Sequence, residues 1–100
     1  MLSIDLDQYY IFRTYSSGVF AGYILEKEKE EVKVKKAKRI WYWDGAASLS
    51  QLAQEGTKKP DQCKFAVEVD EIILINVIEI LKVTPEAENS IKSVKVWAVK

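Results

Sequence analysis

Ile72 to Val83, IILINVIEILKV, is the run that most limits what this chain can fold into. Its near-continuous hydrophobicity demands cover, and its β-branched residues favour a strand buried on both faces. Twelve residues are long for one strand. Either the strand bends near Asn76 or two short strands meet there. Ile72, Ile75, Ile78 and Ile80 roughly share a helical face, so a helix is the lesser option. The longest unbroken apolar piece, Ile72–Ile75, is far too short to span a bilayer.

The first half supplies sheet partners for that run. Gln8 to Tyr15 (QYYIFRTY) and Val19 to Glu26 (VFAGYILE) flank the turn signal Ser16-Ser17-Gly18, which predicts a β-hairpin. Both faces of the second run are apolar, so it belongs inside a sheet rather than at its edge. After an exposed turn, Lys27-Glu28-Lys29-Glu30, a third strand begins with Val32 and Val34 inward and Lys33 and Lys35 outward. Strict alternation would then put Lys36 and Lys38 on the face of Val32, Val34, Ile40 and Tyr42. A β-bulge near Lys35-Lys36 shifts the register by one and sends Val32, Val34, Ala37, Trp41 and Trp43 to the core. The bulge is the preferred reading.

Asp44 to Gly56 predicts a short helix, with Asp44 or the later Ser48 as N-cap and Gly56 past its end. Leu49, Leu52 and Ala53 form its apolar stripe. Thr57 to Gln62 reads as loop. Phe65, Val67 and Val69 alternate as a half-buried strand, interrupted by Asp70-Glu71. Thr84-Pro85-Glu86 starts a second helix over about Pro85 to Ser93. Val94 to Val99 alternates and predicts a closing strand. The expectation is an α+β fold: a mostly antiparallel β-sheet of five to six strands with two short helices, in a single domain spanning 1–100.

Composition removes whole classes of chemistry. The 100 residues contain no histidine and one cysteine. That excludes Ser-His-Asp and Cys-His nucleophilic sites, histidine metal sites, an internal disulfide and a Cys-rich zinc site. No carboxylate pair has an acid–base pattern. The expectation is no enzyme, no metal and no cofactor. Cys63, in Asp61-Gln62-Cys63-Lys64, has no neighbouring base and reads as a plain reduced thiol. Met1 to Asp7 carries two acids and no Lys or Arg, unlike a secretory leader. Together these point to a cytoplasmic protein without a membrane segment.

Fifteen Lys+Arg balance fifteen Asp+Glu. A zero net charge argues against a protein that neutralises many phosphates, so nucleic acid is a disfavoured partner. The charges are unevenly placed, however. Lys27 to Arg39 holds seven basic residues, and Asp61 to Glu88 holds seven acids against Lys64 and Lys82. The halves could join copies, basic strand to acidic edge, in a homo-oligomer. The basic strip could instead bind a single strand weakly, although Glu26, Glu28, Glu30 and Glu31 dilute it.

Two segments are candidate ligand sites. At Arg39-Ile40-Trp41-Tyr42-Trp43-Asp44-Gly45, a strand runs into a helix whose N-terminus would offer free N–H groups. Trp41, Trp43 or Tyr42 could stack on a base, with Arg39 on a phosphate. Against this, the tryptophans fit a core, Asp44 would repel an anion, and no P-loop pattern is present. The second is Arg13-Thr14-Tyr15-Ser16-Ser17-Gly18, a cation, hydroxyls and a phenol at a hairpin end. There Arg13 could equally pair with a cross-strand acid. The candidate residues are Arg13, Tyr15, Arg39, Trp41 and Trp43, lining a pocket for a small anionic ligand.

The segment Ala37 to Ala53, AKRIWYWDGAASLSQLA, resembles a family of small proteins of unknown function encoded by tailed phages and prophages. Further agreement lies in Arg13 to Gly22, in Cys63-Lys64-Phe65 and in Glu71-Ile72-Ile73-Leu74. The similarity covers about Arg13 to Trp97. The family brings no catalytic residues to carry over. The resemblance implies a phage gene product acting inside a bacterium. It is expected to work by binding a host protein or sequestering a nucleotide-type ligand against host defence. The alternative is a structural or assembly component of the phage.

Overall fold

A computed structural model describes residues 4–99. Met1–Ser3, the start of the segment read above as unlike a leader, and Lys100 lie outside the described residues. The elements are β1 (Tyr9–Thr14), β2 (Val19–Glu28), β3 (Glu31–Tyr42), α1 (Leu49–Glu55), a 3-10 turn at Pro60–Gln62, β4 (Lys64–Phe65), β5 (Val69–Leu74), β6 (Val77–Lys82) and α2 (Pro85–Ser93). The fold is α+β: one sheet of six strands, all pairs antiparallel, with two helices.

The strand order is β4-β3-β2-β1-β6, and β5 also pairs with β3. On the side of β3 away from β2, β5 lies against Val32–Ala37 and β4 against Ile40–Tyr42. β5 and β6 are thus at opposite ends of the strand order, yet only Ile75 and Asn76 join them. The sheet has to curl for that link to close. Asn76 takes a positive φ of 59° there. The Tyr15 N–H donates to the Asn76 carbonyl at 2.9 Å, and the Val77 N–H donates to Glu30 at 3.0 Å. These bonds pin the link to both hairpin turns.

Curling buries the sheet on two faces. Tyr9 and Ile11 of β1 join a cluster under the helices with Ile40, Leu52, Phe65 and Ile91. Tyr10 and Phe12, their alternating neighbours, join Phe20, Ile24, Val34 and Leu74 inside the curl. Each large side chain so buried stabilises the fold by ~1.5–3 kcal/mol. An apolar period that serves both faces is therefore satisfied without a second sheet.

The bulge in β3 is present. Lys36 has φ 50°, and the pairing jumps from Tyr23↔Lys35 to Ala21↔Lys38. The extra residues face Gly22, where a Cβ would stand 3.0 Å from the Lys35 carbonyl and 3.1 Å from the Ala37 Cα. The shift buries Val32, Val34 and Ala37 as expected. It does not bury Trp41, which is 65% exposed, and Trp43 is only half-buried. The strand has run past the inner cluster by then, and Trp43 packs against the cluster under the helices instead.

The run Ile72–Val83 divides at Ile75–Asn76 into β5 and β6, the two-strand alternative, but Ile73, Ile75 and Ile78 are exposed rather than covered. Three other expectations change. Asp70-Glu71 lie inside β5 rather than interrupting a strand. Val94–Val99 forms only an isolated parallel bridge, Phe65↔Val96, because its neighbour β4 is two residues long. The basic strand is no free edge: β3 is paired on both sides. Part of its charge is met within the chain, by Glu26 to Lys33 (3.7 Å) and Asp7 to Lys35 (3.5 Å), with Glu71 the cross-strand neighbour of Lys35.

Candidate functional site

Beyond the bulge, β3 alternates again. Ile40 turns under the helices, while the Arg39 guanidinium lies 4.7 Å over the Phe20 ring on the opposite face. Phe20 follows the β1–β2 turn directly, so the turn sits beside the end of β3. Ser17, Gly18 and Val19 from the turn and Arg39, Trp41 and Trp43 from β3 line a groove of about 460 Å³. The turn is rigid. The Thr14 hydroxyl donates to the Gly18 carbonyl at 2.8 Å and accepts from the Ser17 N–H at 2.9 Å.

The groove's outer wall continues onto a residue that sequence reasoning missed. Trp97 lies nearly parallel to Trp41, with ring centroids 6.3 Å apart and 16° between planes. Its backbone is held there by the main-chain N–H, which donates to the Phe65 carbonyl at 3.0 Å. The Lys64 ammonium lies 5.5 Å from the Trp97 ring centre. All three tryptophans of the chain therefore meet at one corner. No local signal in the sequence brings Trp97 there, since the contact depends on β4 lying between β3 and the C-terminal segment.

Two cations stand at this corner: Arg39 lines the groove, and Lys64 lies over Trp97. Asp44 is turned away: its Oδ1 accepts from the Gly45 N–H at 2.7 Å, and its carbonyl accepts from the Thr57 hydroxyl and the Cys63 thiol. Cys63 is buried in this loop packing. Gly45 is required, with φ 81° and the backbone of Lys58 and Lys59 where a Cβ would stand.

The anticipated helix N-terminus does not contribute. Ser48, not Asp44, caps α1 by accepting from the Gln51 N–H at 3.1 Å, and the Gln51 side chain accepts from the Ala47 N–H at 2.6 Å. The Ser48 cap meets one of the helix's orphan donors, and none of the residues around this N-terminus lines the groove.

The structure gathers Arg39, Trp41 and Trp43 and leaves Arg13 and Tyr15 elsewhere. Arg13 Nε donates to Glu79 Oε1 of β6 at 3.1 Å, the cross-strand pairing weighed above. The Tyr15 side chain is 78% exposed and stands outside the groove lining.

A second polar group ties α2 to the sheet. The Tyr23 hydroxyl donates to Glu88 Oε2 at 2.8 Å and accepts from Lys92 Nζ at 2.6 Å. Tyr9 packs edge-on against Tyr23, and its buried hydroxyl has no partner among the described residues. Burial, followed by Tyr23, Glu68 and Glu88, pushes the Tyr9 phenol well above its ordinary value. Lys38 is buried without an ion pair among the described residues, and desolvation lowers its ammonium below the usual lysine range. The Tyr23 hydrogen bond holds the Lys92 ammonium above that range. These groups do not line the groove.

A larger groove of about 620 Å³ runs beside β6, where Lys27, Lys29 and Lys82 are matched by Asp5, Glu30 and Glu79. It offers balanced charge and no tryptophan, so it lacks the polarity of the Trp corner. Among the described residues no three His, Cys, Asp or Glu side chains gather as a metal site, and no helix is long and apolar enough to cross a membrane.

The sequence profile of one protein family, a domain of unknown function (DUF6948), matches residues 7–91. No curated protein and no solved structure matches the chain.

Proposed function

The chain belongs to the DUF6948 family, and from that premise we propose that it is a non-catalytic binding protein. Its site is the groove of Arg39, Trp41 and Trp43 beside the Ser17–Val19 turn. Its ligand is a small anion with an aromatic ring, of the nucleotide class. The carrying observation is that every tryptophan meets Arg39 and Lys64 at one corner of a chain with zero net charge. Exposed aromatic faces stack on bases, and neighbouring cations take phosphate.

The resemblance to small tailed-phage and prophage proteins supports a phage-encoded accessory role in the cytoplasm of an infected or lysogenic bacterium. There the protein counters host defence by sequestering such a ligand or by engaging a host protein. A thermal-shift screen with nucleoside phosphates and cyclic dinucleotides tests the site. A ligand at a hundredfold its Kd stabilises by ~2.7 kcal/mol and raises Tm by roughly 10 °C or more. A folded protein whose Tm moves with none of these ligands overturns the reading.

One observation favours a second reading, assembly. Ile73, Ile75 and Ile78 are exposed around the β5–β6 link, an apolar group of the kind that contacts protein. It supports a homo-oligomer or a phage structural component. Light scattering across a concentration series tests this, and a monomer at all concentrations rules against it.

A further inference from the structure

We propose that the free edge of β6 takes an extended, uncharged segment of a partner protein as an added strand, seated in the groove between β6 and the end of the β2–β3 hairpin. This goes beyond the Trp corner and stands or falls separately from it.

The strand order ends at β6, which pairs with β1 alone. Val77, Ile78, Glu79 and Ile80, four successive residues, all line the larger groove of about 620 Å³. Successive side chains of a strand point to opposite faces. A groove lined by all four therefore borders the edge of β6 and not one of its faces. Lys27, Lys29 and Glu30 line the opposite bank. Among the described residues one main-chain bond crosses, from the Val77 N–H to the Glu30 carbonyl at 3.0 Å.

The register shows which main-chain groups are open. In an antiparallel pair, alternate residues turn both N–H and C=O to the same side. The Thr14 N–H donates to the Gly18 carbonyl and the Ile24 N–H to the Gln8 carbonyl. Even-numbered residues of β1 thus face β2, and Ile11 and Arg13 face β6. Their partners Leu81 and Glu79 bond back to β1, so Ile80 and Lys82 turn their N–H and C=O toward the groove.

Sheet edges are ordinarily short, charged or covered. β4 is two residues long, and β5 carries Asp70 and Glu71. In β6, Ile78 is exposed and the Glu79 carboxylate is taken by Arg13. Open main-chain donors and acceptors in a row are matched by another extended main chain. Tyr10, Val77 and Ile80, which belong to or pack on the inner cluster, line the groove as well. Alternate side chains of the added strand on that side are therefore apolar. Charge selects the rest. Three lysines and three acids line the groove, so a run of either sign meets its like as well as its opposite, and an uncharged segment suits it best.

The probe is fluorescein-labelled acetyl-Thr-Val-Thr-Ile-Thr-Val-Thr-amide, followed by anisotropy, beside analogues with Glu or Lys in place of the two central threonines. The uncharged peptide is expected to bind with a Kd on the order of 0.1 mM and more tightly than either analogue. Lys82→Ala keeps that affinity, because the side chain is not what binds. Lys82→Pro removes an outward N–H without breaking a bond to β1 and weakens binding about fivefold to tenfold. Amide exchange in the parent protein tests the same point should Lys82→Pro fold poorly. Free protein exchanges Ile80 and Lys82 faster than Glu79 and Leu81, and the peptide slows the first two by about tenfold or more.

Absence of binding by all three peptides at 1 mM (about the weakest measurable Kd) overturns the proposal. So does binding that leaves the Ile80 and Lys82 amides as fast as before, which makes the contact one of side chains only. Tighter binding of the Glu or Lys analogue overturns the uncharged partner. A concentration-dependent dimer in which those two amides are slow without peptide gives the edge to a second copy and also overturns it.

Discussion

Trp41 at the end of β3 and Trp97 beyond α2 stack at 6.3 Å with both rings open to solvent. Because the pair is exposed, its loss is expected to cost little stability. Trp41→Ala and Trp97→Ala each reduce unfolding free energy by about 1 kcal/mol or less. Phe65→Ala, which empties a fully buried position beside them, costs ~3–5 kcal/mol. Urea unfolding of the three variants checks the contrast. A large loss at Trp97 would make the stack structural.

Arg13 and Glu79 form an exposed cross-strand ion pair. Arg13→Ala is expected to change stability by under ~1 kcal/mol and to leave nucleotide-induced quenching as it was. Arg39→Ala, by contrast, weakens that quenching. Parallel titrations of the two variants separate the groove cation from the strand cation.

Gly45 packs against the loop at Thr57–Lys59. Gly45→Ala imposes a side chain at φ 81° and against the Lys58–Lys59 backbone. It is expected to cost about 2 kcal/mol or more and to lower Tm by roughly 10 °C. Differential scanning calorimetry measures it, and an unchanged Tm would mean the loop relaxes freely.

Lys38 and Tyr9 titrate with opposite effects on stability. Desolvation lowers the Lys38 ammonium, so between that lowered value and the ordinary lysine value the unfolded chain binds more protons. The Lys38 penalty is therefore greatest below that window and is relieved as pH rises through it. Burial raises the Tyr9 phenol. Its contribution is intact below roughly pH 10 and is lost above it. Lys38→Met is expected to be more stable than the parent at pH 7 by about 1 kcal/mol, with the gain shrinking toward pH 10. Tyr9→Phe removes the alkaline loss. Urea midpoints from pH 7 to 11 check both, and a Lys38→Met less stable at pH 7 would show that the buried ammonium is well solvated.

Elements with local signals were readable. Thr84 caps α2, and Pro85 opens it over the residues anticipated, because cap and first turn are chemistry of adjacent residues. The bulge at Lys36 followed from the conflict between Val34, Lys36 and Ala37 in a two-residue period. What failed depended on distant partners. Val94–Val99 has the alternation of a strand but only two residues of β4 to pair with. Trp41 has the register of a core residue but lies beyond the curl. Asp44 has the chemistry of a cap but is spent on Gly45. At the site, Arg39, Trp41 and Trp43 were visible as one segment. Trp97 and Lys64 were not, since only the folded sheet brings them alongside.

Two residues, Ile75 and Asn76, tie together strands that lie at opposite ends of the sheet. So short a tether has a kinetic consequence. β5 cannot settle on β3 while β6 settles on β1 until β1, β2 and β3 are already arranged between them. The closing contacts are remote in sequence and must form together, which places this chain among slow folders, in milliseconds to seconds.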